Sequence, residues 1–113
     1  KTRRNVKFNK KENYTQSPNS LNKHLNNADL IINATPTNPI KRNQKKLINK
    51  NTILSDIVYF PKMTGFLKQF PNNKKIFGIS MLLHQAAPWF KTWFGFYPTI
   101  DKKLINILDK HIS

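Results

Sequence analysis

Three short apolar runs limit how this chain can fold. Leu30-Ile31-Ile32 is broken by Ala34-Thr35-Pro36 and Asn38-Pro39, Ile53–Tyr59 stops before Pro61, and Lys75-Ile76-Phe77 ends at Gly78. Apolar runs of this length, bounded by proline, glycine and asparagine, read as strands feeding loops, the first of them buried. The near-continuous apolar content of 53–59 fits a parallel strand covered on both faces. Helix-forming segments lie between and after the runs. Thr64 to Phe70 forms a short helix stopped by Pro71 and the Asn72-Asn73 turn. Ser80 caps a longer helix in which Leu82, Leu83, Ala86, Phe90 and Trp93 make one stripe at roughly 100° per residue. His84 and Lys91 fall opposite that stripe, and Gln85 lies on its flank. Pro88 removes a hydrogen bond to the carbonyl of His84, so a kink is expected there. Past Gly95 and Pro98, Thr99 caps a last helix, with Asp101 near its positive end and Leu104, Ile105 and Leu108 as its apolar face. Lys110 and His111 close it, where cations are favoured. Strands alternating with helices predict an α/β unit with a parallel sheet.

Composition removes several function classes. With 113 residues the chain is of one domain's size. No stretch approaches the ~18–20 consecutive apolar residues of a membrane span. There is no cysteine, which excludes a disulfide scaffold, a thiolate metal site and a cysteine nucleophile. The chain opens on Lys1-Thr2-Arg3-Arg4 without methionine or an apolar h-region, which predicts a cut N-terminus, no secretory signal and a cytoplasmic setting. The net charge of +15 invites a nucleic-acid reading. However, 17 of the 20 basic residues are Lys, whereas bidentate phosphate or base recognition favours Arg. Asn (15) and Ile (12) are also abundant, and Lys, Asn and Ile share AT-rich codons. Base bias thus accounts for much of the charge, and no nucleic-acid partner is expected.

The chain divides at about residue 28. The polar segment 1–27 carries Lys1, Arg3, Arg4, Lys7, Lys10 and Lys11, and Ser17-Pro18 opens a short helix through Leu21 and Leu25. Residues 41–50 read as a basic surface connection with at most one helical turn. In parallel sheets ligands bind where the carboxyl ends of strands meet their loops. Three such ends stand out: Asn33-Ala34-Thr35-Pro36, which is small and polar; Tyr59; and Gly78, which precedes a helix presenting Gln85. Each also has an ordinary reading, as a turn, a core tyrosine and a solvated flank residue. Their convergence on one sheet edge favours a site.

These residues fall into recognisable blocks. Ala28–Pro36 resembles the "D-L-I-I-N-A-T-P" segment of the shikimate dehydrogenases. Asp56–Leu67 is similar to their "D-x-V-Y-N-P-x-x-T-P-x-L", and Gly78–Ala87 with Phe90 and Trp93 to "G-x-G-M-L-x-x-Q-A-A-x-x-F-x-x-W-T-G". The resemblance implies that residues 1–113 are the C-terminal part of such an enzyme. They would form a partial Rossmann-like, doubly wound NADP-binding domain ending in helices at about 78–113. The implied activity is reduction of 3-dehydroshikimate to shikimate with NADPH. By position, Asn33, Ala34 and Thr35 would line the nicotinamide cofactor, and Ile57 and Gly78 would offer backbone to it. Tyr59 and Gln85 would bind the substrate's hydroxyl or carboxylate groups. Lys1-Thr2 would sit where the family grips the 2′-phosphate, with Arg3 and Arg4 near enough to share it.

The chain departs from the pattern at several positions. Lys1 stands for an Arg, Asn5 falls where a second Arg is common, and Thr37-Asn38 replaces "G-M". Phe60 stands for Asn, Gly65 for Pro, Ser80 for the second Gly and Phe94 for Thr, and Pro88 falls inside the family's helix. The implied substrate domain, with its Lys–Asp catalytic pair, and the family's glycine-rich pyrophosphate loop would precede Lys1, in the same chain or a separate one. No metal is implied, and no carboxylate pairs with a lysine at a telling spacing. The expectation is an enzyme part that is inactive alone. The alternatives are a non-enzymatic remnant, a basic polyanion-binding module using Lys1–Lys11, and a quinate-using relative.

Overall fold

The computed structural model describes residues 21–113; Lys1, Thr2, Arg3, Arg4 and the Ser17-Pro18 helix start lie outside the described residues. In chain order the elements are α1 (Leu21–Leu25), β1 (Leu30–Asn33), a 3-10 turn (Lys45–Leu47), β2 (Ile53–Asp56), α2 (Gly65–Lys68), β3 (Lys75–Ile76), α3 (Gly78–Phe94) and α4 (Lys102–Ile112). The three strands form one parallel sheet in the order β1-β2-β3, as the alternation predicts.

Register decides what the sheet buries. Ile31 pairs with Leu54, and Asn33 with Asp56, so these four share one face. Leu54 on that face packs with Phe66, Leu67 and Phe70 from α2 and its exit, Leu25 from α1, and Ile40 and Ile48 from the β1–β2 connection. The opposite face behaves differently. Leu30, Ile32 and Ile76 are exposed there, so among the described residues β1 is covered on one side only rather than buried. An apolar run cannot reveal this, because it reads the same whether its second face is covered by this chain or by something else.

The ends of elements are set by side chains that the apolar pattern does not show. β2 stops at Asp56 rather than Tyr59, because the Asp56 carboxylate takes the Val58 N–H at 3.0 Å and turns the chain. Thr64 caps α2 by accepting from the Leu67 N–H, and the helix ends at Lys68, two residues short of Phe70. α3 begins at Gly78, with Phe77 at its cap, so Ser80 is not the cap but lies within the first turn. The helix continues through Pro88 to Phe94 and ends on Gly95, whose φ of 84° is the left-handed conformation glycine favours. α4 is capped by Asp101 and not by Thr99: the Asp101 carboxylate accepts the Leu104 N–H at 2.8 Å.

α4 returns to the β2 end of the sheet. The Lys62 N–H donates to the Ile112 carbonyl at 2.7 Å, and the Lys62 ammonium lies 2.6 Å from Asp109 Oδ2. The same ammonium sits 5.0 Å from the centre of the Phe77 ring. The fold therefore does pair a lysine with a carboxylate, across a separation that sequence spacing does not reveal. Both side chains keep partial access to water, so the pair is a modest tether. A double-mutant cycle on Lys62→Met and Asp109→Asn, read by urea unfolding, is expected to give a coupling of about 0.5–1 kcal/mol that shrinks as salt rises. A coupling that survives high salt would contradict this account.

Candidate functional site

The carboxyl ends of β1 and β2 meet in a buried polar cluster. Parallel register places Asn33 beside Asp56 at the last rung of the ladder. Both side chains are nearly inaccessible, at 3% and 1% exposure. Asn33 Nδ2 donates to Asp56 Oδ2 (3.2 Å) and to the Thr37 carbonyl (3.1 Å). Asn33 Oδ1 accepts from the Thr35 N–H (3.0 Å) and the Thr35 hydroxyl (2.7 Å). The Thr64 hydroxyl donates to Asp56 Oδ2 at 2.6 Å. Asparagine, aspartate and threonine thus satisfy one another where water is excluded, as buried polar groups must.

This cluster anchors two exposed segments. Ala34 and Thr35 leave β1 at the surface. Ile57 follows β2 with its N–H on the Asn33 carbonyl (3.0 Å), and Tyr59, 46% exposed, stands two residues on. A cavity of about 280 Å³ opens beside them, lined by Asn33, Thr37, Asp56, Val58, Phe60 and Thr64 among others. A second, more apolar recess of about 360 Å³ is bounded by Ile57, Val58, Tyr59 and Phe60.

Gly78 joins α3 to this edge. A Cβ on residue 78 would lie 2.6 Å from the Ile57 carbonyl oxygen, 2.7 Å from that of Val58 and 2.8 Å from that of Asp56. Only glycine lets the helix start press against the strand end so closely. The backbones of Ile57 and Gly78 are therefore in direct contact. Gln85 lies seven residues further along α3, on the same helical face as Gly78 and Met81, roughly 10 Å along the axis at 1.5 Å per residue. Its side chain is exposed. The structure thus brings Asn33, Ala34, Thr35, Ile57, Tyr59 and Gly78 to one edge, and sets Gln85 two turns away on the helix face that meets it.

Two members of this buried cluster, Asp56, which orders the edge, and Thr64, which joins it to α2, were missed by sequence reasoning. The available signal was an ionisable residue inside the apolar run 53–59, since a buried Asp persists only where partners hold it. The expected core stripe of α3 is also revised. Within α3 only Gly78 and Ile79 are buried, while Leu82 and Trp93 are exposed. An apolar recess of about 340 Å³ lies between α3 and α4, lined by Leu83, Ala87, Phe90, Trp93, Pro98 and Leu104 among others. Three titratable groups of the ordinary acid–base kind, His24, His84 and His111, are exposed and lie outside the strand-end cluster. Among the described residues no group of His, Asp or Glu is placed to hold a metal ion, and no helix is long and apolar enough to cross a membrane.

No family model matches the chain. It is 33% identical over 108 residues to the shikimate dehydrogenase (NADP(+)) of Sinorhizobium medicae, covering 87% of this chain and 38% of that protein. The enzyme of the same name from Methanocaldococcus jannaschii is 34% identical over 114 residues, covering 92% of this chain and 40% of that protein. A shorter match, to that of Rhizobium rhizogenes, reaches 44% over 68 residues, 55% of this chain and 24% of the relative. Among solved structures, quinate dehydrogenase from Corynebacterium glutamicum in complex with NAD superposes with a TM-score of 0.61 at 24% identity, covering 73% of this chain and 31% of that one. Over most of its length the chain is thus similar to shikimate dehydrogenases, as its three sequence blocks indicate, and its fold is Rossmann-like. It spans two fifths or less of the length of these relatives.

Proposed function

We propose that this chain is the C-terminal part of a shikimate dehydrogenase, from within the NADP-binding domain to the closing helices at about 78–113. The whole enzyme would reduce 3-dehydroshikimate to shikimate with NADPH. The observation that carries this reading is the strand-end edge itself. Gly78 presses the start of α3 against the carbonyls of residues 56–58, beside the segment that Asn33 orders.

The residues present fit the cofactor. A nicotinamide ring offers a flat apolar face and a polar carboxamide rim, and the edge offers an exposed Ile57, the polar Thr35 and a solvent-exposed Ala34. When bound, NADPH supplies the hydride. The chain's own part is orientation. Asn33, Ala34, Thr35, Ile57 and Gly78 hold the nicotinamide side, and Lys1, Thr2, Arg3 and Arg4 take the 2′-phosphate as cationic and hydroxyl partners. Tyr59 and Gln85 are neutral groups suited to fixing a polyhydroxylated acid before transfer, where placement alone is worth several powers of ten in rate. The proton-transferring Lys–Asp pair belongs to the family's substrate domain. Lys62–Asp109 does not replace it, because it is engaged in tethering α4.

The test is an assay of the purified chain with shikimate and NADP⁺, alone and after adding the separately expressed front part of a relative, with quinate run in parallel. The expected result is no turnover alone and turnover once the front part is present. Turnover by the chain alone would overturn the incomplete-enzyme reading. Failure of the complemented chain, together with no detectable NADP⁺ binding, would overturn the dehydrogenase reading and leave the non-enzymatic alternative.

A further inference from the structure

We propose that Asp56 is a positioning residue for the cofactor edge; the proposal rests on the reading just given. Its carboxylate is 1% exposed, yet it sits on a strand where a valine or leucine would be the ordinary occupant. Burying a carboxylate is costly unless its oxygens are hydrogen-bonded. Here both oxygens are used, Oδ1 by the Val58 N–H and Oδ2 by Thr64 Oγ1 and Asn33 Nδ2.

These partners show what the carboxylate controls. An ionised carboxylate only accepts, so it dictates which end of the Asn33 amide faces it. With Nδ2 turned to Asp56, Oδ1 is left to receive the Thr35 N–H and hydroxyl. The reversed amide would set oxygen against oxygen at Asp56 and N–H against N–H at Thr35. Asp56 therefore fixes the path of residues 34–37 through Asn33. Through Val58 it fixes the turn that presents Ile57 and Tyr59. The two segments assigned to cofactor and substrate hang from one side chain that touches neither. Thr64 is the third partner, and it leads away from the edge to the cap of α2.

The branching of this network supplies the test. NADP⁺ binding by the chain complemented with the front part of a relative is measured calorimetrically for wild type, Asp56→Asn, Asn33→Ala, their double variant and Thr64→Val, with thermal unfolding of each chain recorded. Asp56→Asn replaces one acceptor oxygen with a donor, leaving at least one neighbouring donor without its partner. It is expected to weaken NADP⁺ by about tenfold. Asn33→Ala should weaken it as much, and the double variant by less than the product of the two losses, because the Asp56–Asn33 bond is common to both and only the Val58 branch is independent. Thr64→Val should lower the melting temperature and leave affinity within about twofold, since the Asp56–Asn33 bond survives. Wild-type affinity in Asp56→Asn would overturn the proposal, as would equal losses in Thr64→Val and Asn33→Ala. That last comparison decides the matter if Asp56→Asn fails to fold. A complemented wild-type chain that binds no NADP⁺ would instead remove the functional reading beneath the proposal.

Discussion

Replacing Gly78 by alanine is expected to cost about 3 kcal/mol of stability, and by valine more, an overpacking penalty at the upper end of its usual range. The reason lies in what the new Cβ meets. The carbonyl oxygens of Ile57, Val58 and Asp56 stand 2.6–2.8 Å from its position. These are backbone atoms and cannot rotate away as a side chain would. They are also held from behind, by the Val58 N–H on Asp56 and the Ile57 N–H on the Asn33 carbonyl. The helix start must therefore back off the sheet. Against a typical domain stability of about 5–15 kcal/mol, that loss is a large share. At roughly 5 °C per kcal/mol for a domain of this size, it lowers the melting temperature by about 15 °C. Gly65 is the control. Nothing lies within 4 Å of a Cβ there, and its φ is not positive. Gly65→Ala is expected to be neutral or to stabilise by about 0.5 kcal/mol through the unfolded state. Thermal unfolding by circular dichroism reads both, and equal melting temperatures for the two variants would refute the close-approach account.

How legible this was in the sequence depends on the kind of signal. Leu30-Ile31-Ile32, Ile53–Tyr59 and Lys75-Ile76-Phe77 announced three strands, and the helix-forming segments between them announced parallel pairing, because period and punctuation are local properties. The ends of elements were less legible. Asp56 ends β2 and Asp101 opens α4 by hydrogen bonds two and three residues along the chain. In both cases an apolar or proline neighbour drew the boundary elsewhere. For the site, Asn33-Ala34-Thr35, Tyr59 and Gly78 could be picked out as unusual strand ends, and the structure brings them to one edge. The side chain that links them could not. Asp56 and Thr64 meet Asn33 only through strand register and the placement of α2, which are products of the whole fold.

The α3 stripe failed for a different reason, and it gives the second prediction. Phe66 and Trp93 are both large aromatics on helices, and periodicity placed Trp93 on a core stripe. Phe66 is 2% exposed and stacks edge-on with Phe70 at 5.8 Å, whereas Trp93 is 73% exposed. In the isolated chain Phe66→Ala is expected to cost about 4 kcal/mol, the lost transfer energy plus the cavity left behind. Trp93→Ala should stay within about 0.5 kcal/mol, as surface changes do. Urea unfolding measures both, and a large loss at Trp93 would mean that the chain covers its own α3 stripe. The same pair of variants bears on the proposed function. Among the described residues Leu82, Ala86 and Trp93 of this stripe are exposed, and the relatives' further length offers a surface that would cover them. If that length covers α3, Trp93→Ala should weaken association with the front part by about 2 kcal/mol, as a buried aromatic anchor does. A side chain silent in the folding of its own chain and strong in assembly would mark α3 as a helix patterned for the whole enzyme. Silence in both assays would break that link.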